Sequence, residues 1–379
     1  MEGKLEKNRP NVAIVTFPIG DSGFSPLSNL VKIVQSLSNR VHLITGNLGY
    51  AFFNEVSQIH TYEIKHKKGT KSISRVIKYV LTQLKFIPIL IKLVNEVDFF
   101  LFFFGGESLI IPLLILKCSR KKVALVLPAS SGKISSIRKD TFSRFLKFLS
   151  EINCFLSDRI VLCSEKLIKE YGLQLHRKKV SIAHEHFVDF NRFNERKRLS
   201  ERDELVGYIG RLSEEKGILN FVEAIPSVLK NKGHVRFLIG GDGPLHGEIS
   251  EYLKRRNLKD KVKIVGWIPH DDVPKCLNEI KLLVVPSYTE SGPLIAFEAM
   301  ACGTPVLGSK VGMMSEILQD GNNGFVLENN VPQFIANYIS EILSRKDLSE
   351  ISAKAKETVE NRLTYDSAVN SYKSIFMNL

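Results

Sequence analysis

The chain opens on an alternation of short apolar runs and longer segments with helical spacing. "NVAIVTFPIG" reads as a strand, "DSGFS" as a polar glycine loop, and "PLSNLVKIVQSLSN" as a helix with its apolar residues on one side. Ser25 is placed to cap that helix, with Pro26 at its first position. "RVHLITGN" is a strand again. The alternation runs on through a basic amphipathic segment from Ser72 to Glu96, strands over 98–104 and in "KKVALVLP", a helix over 141–153 and a strand in "DRIVLCS". Strands alternating with helices predict a parallel sheet covered on both faces.

Residues 190–204, "FNRFNERKRLSERDE", break the pattern with a charged, apolar-poor run that reads as a linker. A second series starts at "LVGYIG" and continues through strands in "VRFLIGGDGP", "KVKIVGW", "KLLVVPS" and "TPVLGS". The expected organisation is α/β: a Rossmann-like domain over 1–189, the linker over 190–204, a second Rossmann-like domain over 205–362 and a terminal helix over 363–379. Two such domains in tandem are expected to leave a ligand cleft between the carboxyl ends of their sheets. The terminal helix carries Tyr365, Val369, Tyr372 and Phe376 on one stripe. "DFFLFFFGGESLIIPLLILK", residues 98–117, looks membranous, but a span needs about 20 uninterrupted apolar residues. Glu107, Gly105-Gly106 and Pro112 interrupt it, so a buried strand, a glycine turn and a short apolar helix are expected.

Composition sharpens this picture at two points. At 379 residues, with 44% hydrophobic and 25% charged content, the chain has globular values and material for two cores. The net charge of +13 lies wholly in residues 1–190, which hold 28 basic against 15 acidic residues. The remainder is balanced at 25 of each. A one-sided field suits an anionic partner such as nucleic acid, a membrane surface or a phosphorylated substrate, although a lysine-rich solvated surface has the same composition. The five cysteines are scattered without a Cys-x-x-Cys pair, and "MEGKLEKNRP" has no apolar signal segment, so a reducing cytoplasmic location is expected.

Three motifs carry chemistry. "GYIGRLSEEKG" (207–217) leaves a strand and enters a helix, the geometry of an anion site, with Arg211 and Lys216 as cations for two adjacent phosphates. "GGDGP" (240–244) repeats that geometry and is weak alone. "YTESGPLIAFEAMACG" (288–303) puts Glu290 in a loop after a strand, Ser291 and Gly292 at the start of a helix, and Glu298 inside the helix between apolar neighbours. A carboxylate there is suited to gripping vicinal hydroxyls.

The two glutamates, with seven residues between them, "SGP" after the first and "ACGTPVLGS" after the second, resemble the retaining GT-B glycosyltransferases of glycosyltransferase family 4. "GRLSEEKG", "GDGP", "VGW" and "EILQDGNNGFVL" fall at matching places and in the same order. The resemblance covers nearly all of the second domain. Over the first it rests on strand order and "DRIVLCSEKLIKEYG".

It implies a GT-B fold, two Rossmann-like domains facing across a cleft, with the terminal helix crossing back to the first domain. The implied activity is transfer of a hexose-type sugar from a nucleotide-diphosphate sugar to a hydroxyl of a glycan or lipid-linked acceptor, with retention, in polysaccharide or glycolipid biosynthesis. Arg211 and Lys216 would grip the diphosphate, with Gly210 and Gly241 in the loops around it. Glu298 would hold the ribose, and Glu290, with Ser291, Gly292, Pro293 and Leu294, would contact the transferred sugar. Glu290, Arg211 and Lys216 form the implied catalytic set. No cofactor or metal is expected, since the two cations neutralise the leaving diphosphate, which itself takes the acceptor proton.

The chain departs from the family in its first domain. Many relatives carry a His where this sequence reads Pro128-Ala129-Ser130-Ser131-Gly132-Lys133, leaving Ser131 or Lys133 as replacements. Gly20 and Gly23 are the nearest equivalents of the family's Gly-Gly loop. His184 and His186, lacking a third ligand, read as structural. The segments 65–93 and 133–148 mix Lys and Arg with apolar residues at helical spacing. They fit either helices on an anionic membrane at the inner face of the cell membrane or ordinary covering helices. Two competing readings are a nucleotide-sugar epimerase of similar fold and, from the charge alone, a nucleic-acid binder. The second lacks any helix-turn-helix, zinc finger or aromatic platform, and no nucleic acid is expected as partner.

Overall fold

The computed structural model describes residues 9–67, 69, 72–127 and 141–377. The chain forms two compact units, Met1–His186 with Asp366–Leu379, and Phe187–Tyr365. Each has one parallel sheet.

The first sheet holds β1 (Asn11–Thr16), β2 (Arg40–Thr45), β3 (Ile59–Glu63), β4 (Phe99–Phe103), β5 (Lys122–Val126), β6 (Arg159–Leu162) and β7 (Val180–Ile182), in the order β3-β2-β1-β4-β5-β6-β7. The second holds β8 (Leu205–Ile209), β9 (Arg236–Gly240), β10 (Val262–Gly266), β11 (Leu282–Val285), β12 (Val306–Ser309) and β13 (Phe325–Leu327), in the order β10-β9-β8-β11-β12-β13. β4, "FFLFF", is buried at every position, as a central strand covered on both faces must be. In both sheets the chain builds outward from its first strand, then returns to that strand's other side. Such a reversal opens a crevice at the carboxyl ends of the two strands where it occurs. In the second unit those strands are β8 and β11.

The apolar stretch 98–117 resolves into β4, a 3-10 turn over Gly106–Ser108 and a helix over Ile110–Cys118. Among the described residues no helix is long and apolar enough to cross a membrane. The first helix starts earlier than its proline suggests: it spans Asp21–Leu37 with Gly20 as N-cap and Pro26 inside. A proline in the second turn costs the helix one hydrogen bond, which the remaining turns outweigh. The basic segment is two helices, Ser72–Leu84 and Phe86–Leu93, separated where the Lys85 N–H donates to Thr82 O at 3.2 Å in a tighter turn. His184 Nδ1 lies 2.9 Å from the backbone oxygen of His186, whose buried ring neighbours Glu185 at 3.7 Å. Among the described residues there is no group of three or more potential metal ligands. The terminal helix, Tyr365–Met377, buries Tyr372 and sets Phe376 edge-on to Phe99 of β4 at 4.9 Å.

The charged run 190–204 is not a stretch between units: it lies inside the second one. Its Arg202 is buried and donates to Cys302 O (2.7 Å), Thr304 Oγ1 (2.7 Å), Ile280 O (3.0 Å) and Leu277 O (3.2 Å). These oxygens lie at or near the carboxyl ends of two helices, Val273–Glu279 and Leu294–Ala301. Helix carboxyl ends carry unpaired carbonyls and partial negative charge, and a planar guanidinium with five donors satisfies several at once. Arg202→Ala is expected to destabilise the second unit by about 3 kcal/mol or more, because those acceptors would be left buried and unpaired. Urea unfolding followed by circular dichroism measures this; an unchanged midpoint would contradict it.

Candidate functional site

The loop after β8 is built against the loop after β9. Gly210 N–H donates to Gly240 O (3.0 Å), Leu212 N–H to Asp242 O (3.0 Å) and Leu245 N–H to Leu212 O (3.0 Å). This approach requires the glycines of "GGDGP". Gly241 has φ +120°, and a Cβ there would lie 1.9 Å from Gly210 O. Tyr208, buried at the end of β8, donates its hydroxyl to Arg211 O at 2.8 Å. Burial, then the charges of Glu290 and Glu215, push that phenol well above its ordinary pKa and keep it a neutral donor. Arg211 itself is exposed. Among the described residues its ion-pair contact is Glu215 at 3.8 Å, a loose arrangement that leaves the guanidinium available.

On its other side the β8 loop meets the loop after β11. Gly217, at φ +66°, passes so close that a Cβ would lie 2.0 Å from Pro286 O, and Tyr288 N–H donates to Glu215 O at 3.0 Å. This closeness brings Lys216 Nζ to 2.6 Å from Glu290 Oε1, which also accepts from Ser287 Oγ at 2.8 Å. The Glu290 side chain is 10% exposed and that of Lys216 is 29% exposed. A carboxylate so nearly buried needs such donors to remain in place. The loop is held from beneath by the turn after β12. A Cβ on Gly312, at φ +49°, would lie 2.3 Å from both Glu290 O and Ser291 O, and Met313 N–H donates to Ser291 O at 2.7 Å.

Ser291, Gly292 and Pro293 lead into the helix Leu294–Ala301, with Pro293 as N-cap. That helix, "LIAFEAMA", has Glu298 as its single polar residue, buried with its side chain 8% exposed. Its carboxylate meets His270 Nε2 at 3.0 Å. His270 comes from the loop after β10, and sequence reasoning missed it. The available signal was a histidine shortly after a strand whose carboxyl end lies on the same sheet edge as the motifs.

Gly210, Arg211, Lys216, Gly241, Glu290, Ser291, Gly292 and Pro293 therefore belong to loops at the carboxyl edge of the second sheet, and Leu294 and Glu298 to the helix that leaves that edge. Direct contacts join Gly210 to Gly241, and Lys216 to Glu290. Gly20 and Gly23 belong to the first unit, after β1. Gly23 lies against Phe104, whose ring a Cβ would meet at 2.7 Å, whereas Gly20 faces open space. Ser131 and Lys133 lie outside the described residues. Cations, a helix start and two nearly buried carboxylates on one edge suit a ligand with both phosphate and hydroxyl groups.

The family described as glycosyl transferases group 1 matches residues 189–360. An uncharacterized glycosyltransferase of Methanocaldococcus jannaschii is 27% identical over 59% of this chain and 60% of its own length. The alpha-D-kanosaminyltransferase of Streptomyces kanamyceticus is 28% identical over 46% of each chain. The N-acetyl-alpha-D-glucosaminyl L-malate synthase of Bacillus anthracis is 26% identical over 48% of this chain and 47% of its own. The chain thus spans about half the length of these curated relatives. Among solved structures, Anabaena HepE in complex with UDP has a TM-score of 0.76 at 17% identity, covering 97% of this chain and 100% of that one. TarM has a TM-score of 0.76 at 15% identity, covering 97% and 99%. These two show that the α/β, GT-B fold expected from the motifs is the fold of the chain.

The Lys216–Glu290 pair, largely shielded from water, is expected to couple more strongly than a surface ion pair. A double-mutant cycle of Lys216→Met and Glu290→Gln should give about 1 to 3 kcal/mol by denaturant unfolding. A coupling indistinguishable from zero would show that the two side chains do not hold each other.

Proposed function

We propose that the protein transfers a hexose-type sugar from a nucleotide-diphosphate sugar to a hydroxyl of a glycan or lipid-linked acceptor, retaining the anomeric configuration; the match of residues 189–360 to the glycosyl transferases group 1 family supports this reading. The observation that carries this reading is the Lys216–Glu290 pair beside an available Arg211, one helix start away from the buried Glu298. Arg211 and Lys216 take the diphosphate, and Glu298 accepts hydrogen bonds from the ribose hydroxyls. Glu290, held by Lys216 and Ser287, stands nearest the transferred sugar.

In the transfer, the bond between the anomeric carbon and the diphosphate oxygen breaks, and its electron pair stays on the diphosphate. The acceptor oxygen bonds to the anomeric carbon on the same face, and its proton passes to the departing diphosphate. Arg211 and Lys216 stabilise the charge that develops there, the role a metal fills elsewhere. Support for a uridine nucleotide as first donor to try comes from HepE, solved with UDP-glucose.

A calorimetric panel of uridine, guanosine and adenosine diphosphate sugars, run in EDTA, tests this reading. One base is expected to bind, and Glu298→Ala should weaken that donor roughly 10- to 100-fold, the worth of a hydrogen bond to a charged group. Unaltered binding by the variant, or binding that needs a divalent ion, would contradict it. Conversion of donor alone to an epimer would favour the epimerase instead.

We also propose that the first unit rests on an anionic lipid surface, as a peripheral protein at the inner face of the cell membrane. Ile73, Ile77, Leu81 and Leu84 follow one another at three- and four-residue spacing on the helix Ser72–Leu84, each between 43% and 77% exposed. A helix that merely covers a sheet turns such residues inward and presents polar ones to water. The surrounding segment also carries Lys78, Lys85 and Lys92, whose charge complements anionic headgroups. Sedimentation with phosphatidylglycerol vesicles at low salt should capture the protein, and Ile77→Glu with Leu81→Glu should release it. Equal capture of the double variant would contradict the assignment.

A further inference from the structure

We infer that His270 is a positioning residue of the donor site, holding Glu298 by one oxygen so that the other faces the nucleotide's ribose hydroxyls. The inference rests on the reading of Glu298 given above and adds a residue from a separate loop.

Glu298 stands on a helix whose other side chains are all apolar, with 8% of its own side chain exposed. An ionised carboxylate in such surroundings is costly without a donor, and His270 Nε2, 3.0 Å from Oε1, supplies one. With Oε1 engaged, Oε2 is the oxygen left to receive a hydroxyl. A donor that fixes a ligand-binding group acts as outer partners do around metal ligands, by setting orientation rather than by touching the ligand.

His270 is itself held in place. Asp272 N–H donates to Pro269 O at 2.8 Å, closing a turn around it, and Phe193 packs against the imidazole with ring centroids 5.4 Å apart. The neighbouring Asp271 pairs with Arg192. Two adjacent residues, Arg192 and Phe193, thus anchor the turn from one side. The imidazole remains 53% exposed, so removing it opens no core cavity, and its loss should be felt at Glu298 rather than in folding.

The test compares wild type, His270→Ala and His270→Gln, whose side-chain amide can offer an N–H in place of Nε2. The probes are the nucleoside diphosphate of the base selected in the panel and its 2′,3′-dideoxy counterpart, titrated calorimetrically. His270→Ala should raise the Kd of the ribonucleotide about tenfold while leaving that of the dideoxy compound unchanged, and His270→Gln should restore most of the loss. An unchanged Kd in His270→Ala, an equal rise for both probes, or no recovery in His270→Gln would each overturn the role. If wild type binds none of the nucleoside diphosphates, the donor-site reading falls and this inference falls with it. If wild type binds both probes equally, Glu298 does not read the ribose hydroxyls, and the inference fails while nucleotide binding stands.

Discussion

Because β11 pairs with β8, in register Leu282↔Val206 and Leu283↔Gly207, the loops leaving these two strands must emerge side by side. That constraint generates the rest of the site. The β8 loop brings Arg211 and Lys216, and the β11 loop brings Glu290 and the start of the next helix. Side by side, they place a lysine and a glutamate 74 positions apart at hydrogen-bond distance. Were the strand order to continue outward without reversal, β9 and β10 would lie between β8 and β11 and separate the two motifs.

The closeness has steric conditions, and these account for several glycines. Gly217, Gly241 and Gly312 each have positive φ and each face a backbone carbonyl at a distance no Cβ could accept. The loops lie backbone to backbone, and the side chains that remain free to face a ligand are those with chemistry. Nearly buried carboxylates then need local donors. Glu290 has Lys216 and Ser287, and Glu298 has His270. Each glutamate is thereby fixed before any ligand arrives, the pre-organisation on which tight and selective binding depends.

Much of this was legible along the chain. Ten of the thirteen described strands announced themselves as short apolar runs, because parallel strands covered on both faces have no polar side, whereas β3, half polar as "IHTYE", and the three-residue β7 and β13 did not. Glu290 and Glu298 stood out as carboxylates in apolar company. What the chain did not reveal were pairings made through tertiary structure. Lys216 and Glu290 could each be singled out, but not as partners. His270 looked like an ordinary loop histidine, since its partner lies 28 positions away on another element. Arg202 was hidden in a run of charges that composition alone assigns to a linker, although its guanidinium is buried among carbonyls 75 to 100 positions away. Pro26 misled for a local reason: prolines favour a helix's first turn, and here the helix tolerates one in its second.

The central claim is that the two loops at the β8–β11 reversal form one cradle for a nucleoside diphosphate. A crystal structure with uridine, guanosine or adenosine diphosphate bound tests it most directly. The account predicts the diphosphate against Arg211 and Lys216, near the start of the helix Leu294–Ala301, with the ribose on Glu298. A nucleotide bound elsewhere, or at this edge with its ribose turned away from Glu298, would contradict it.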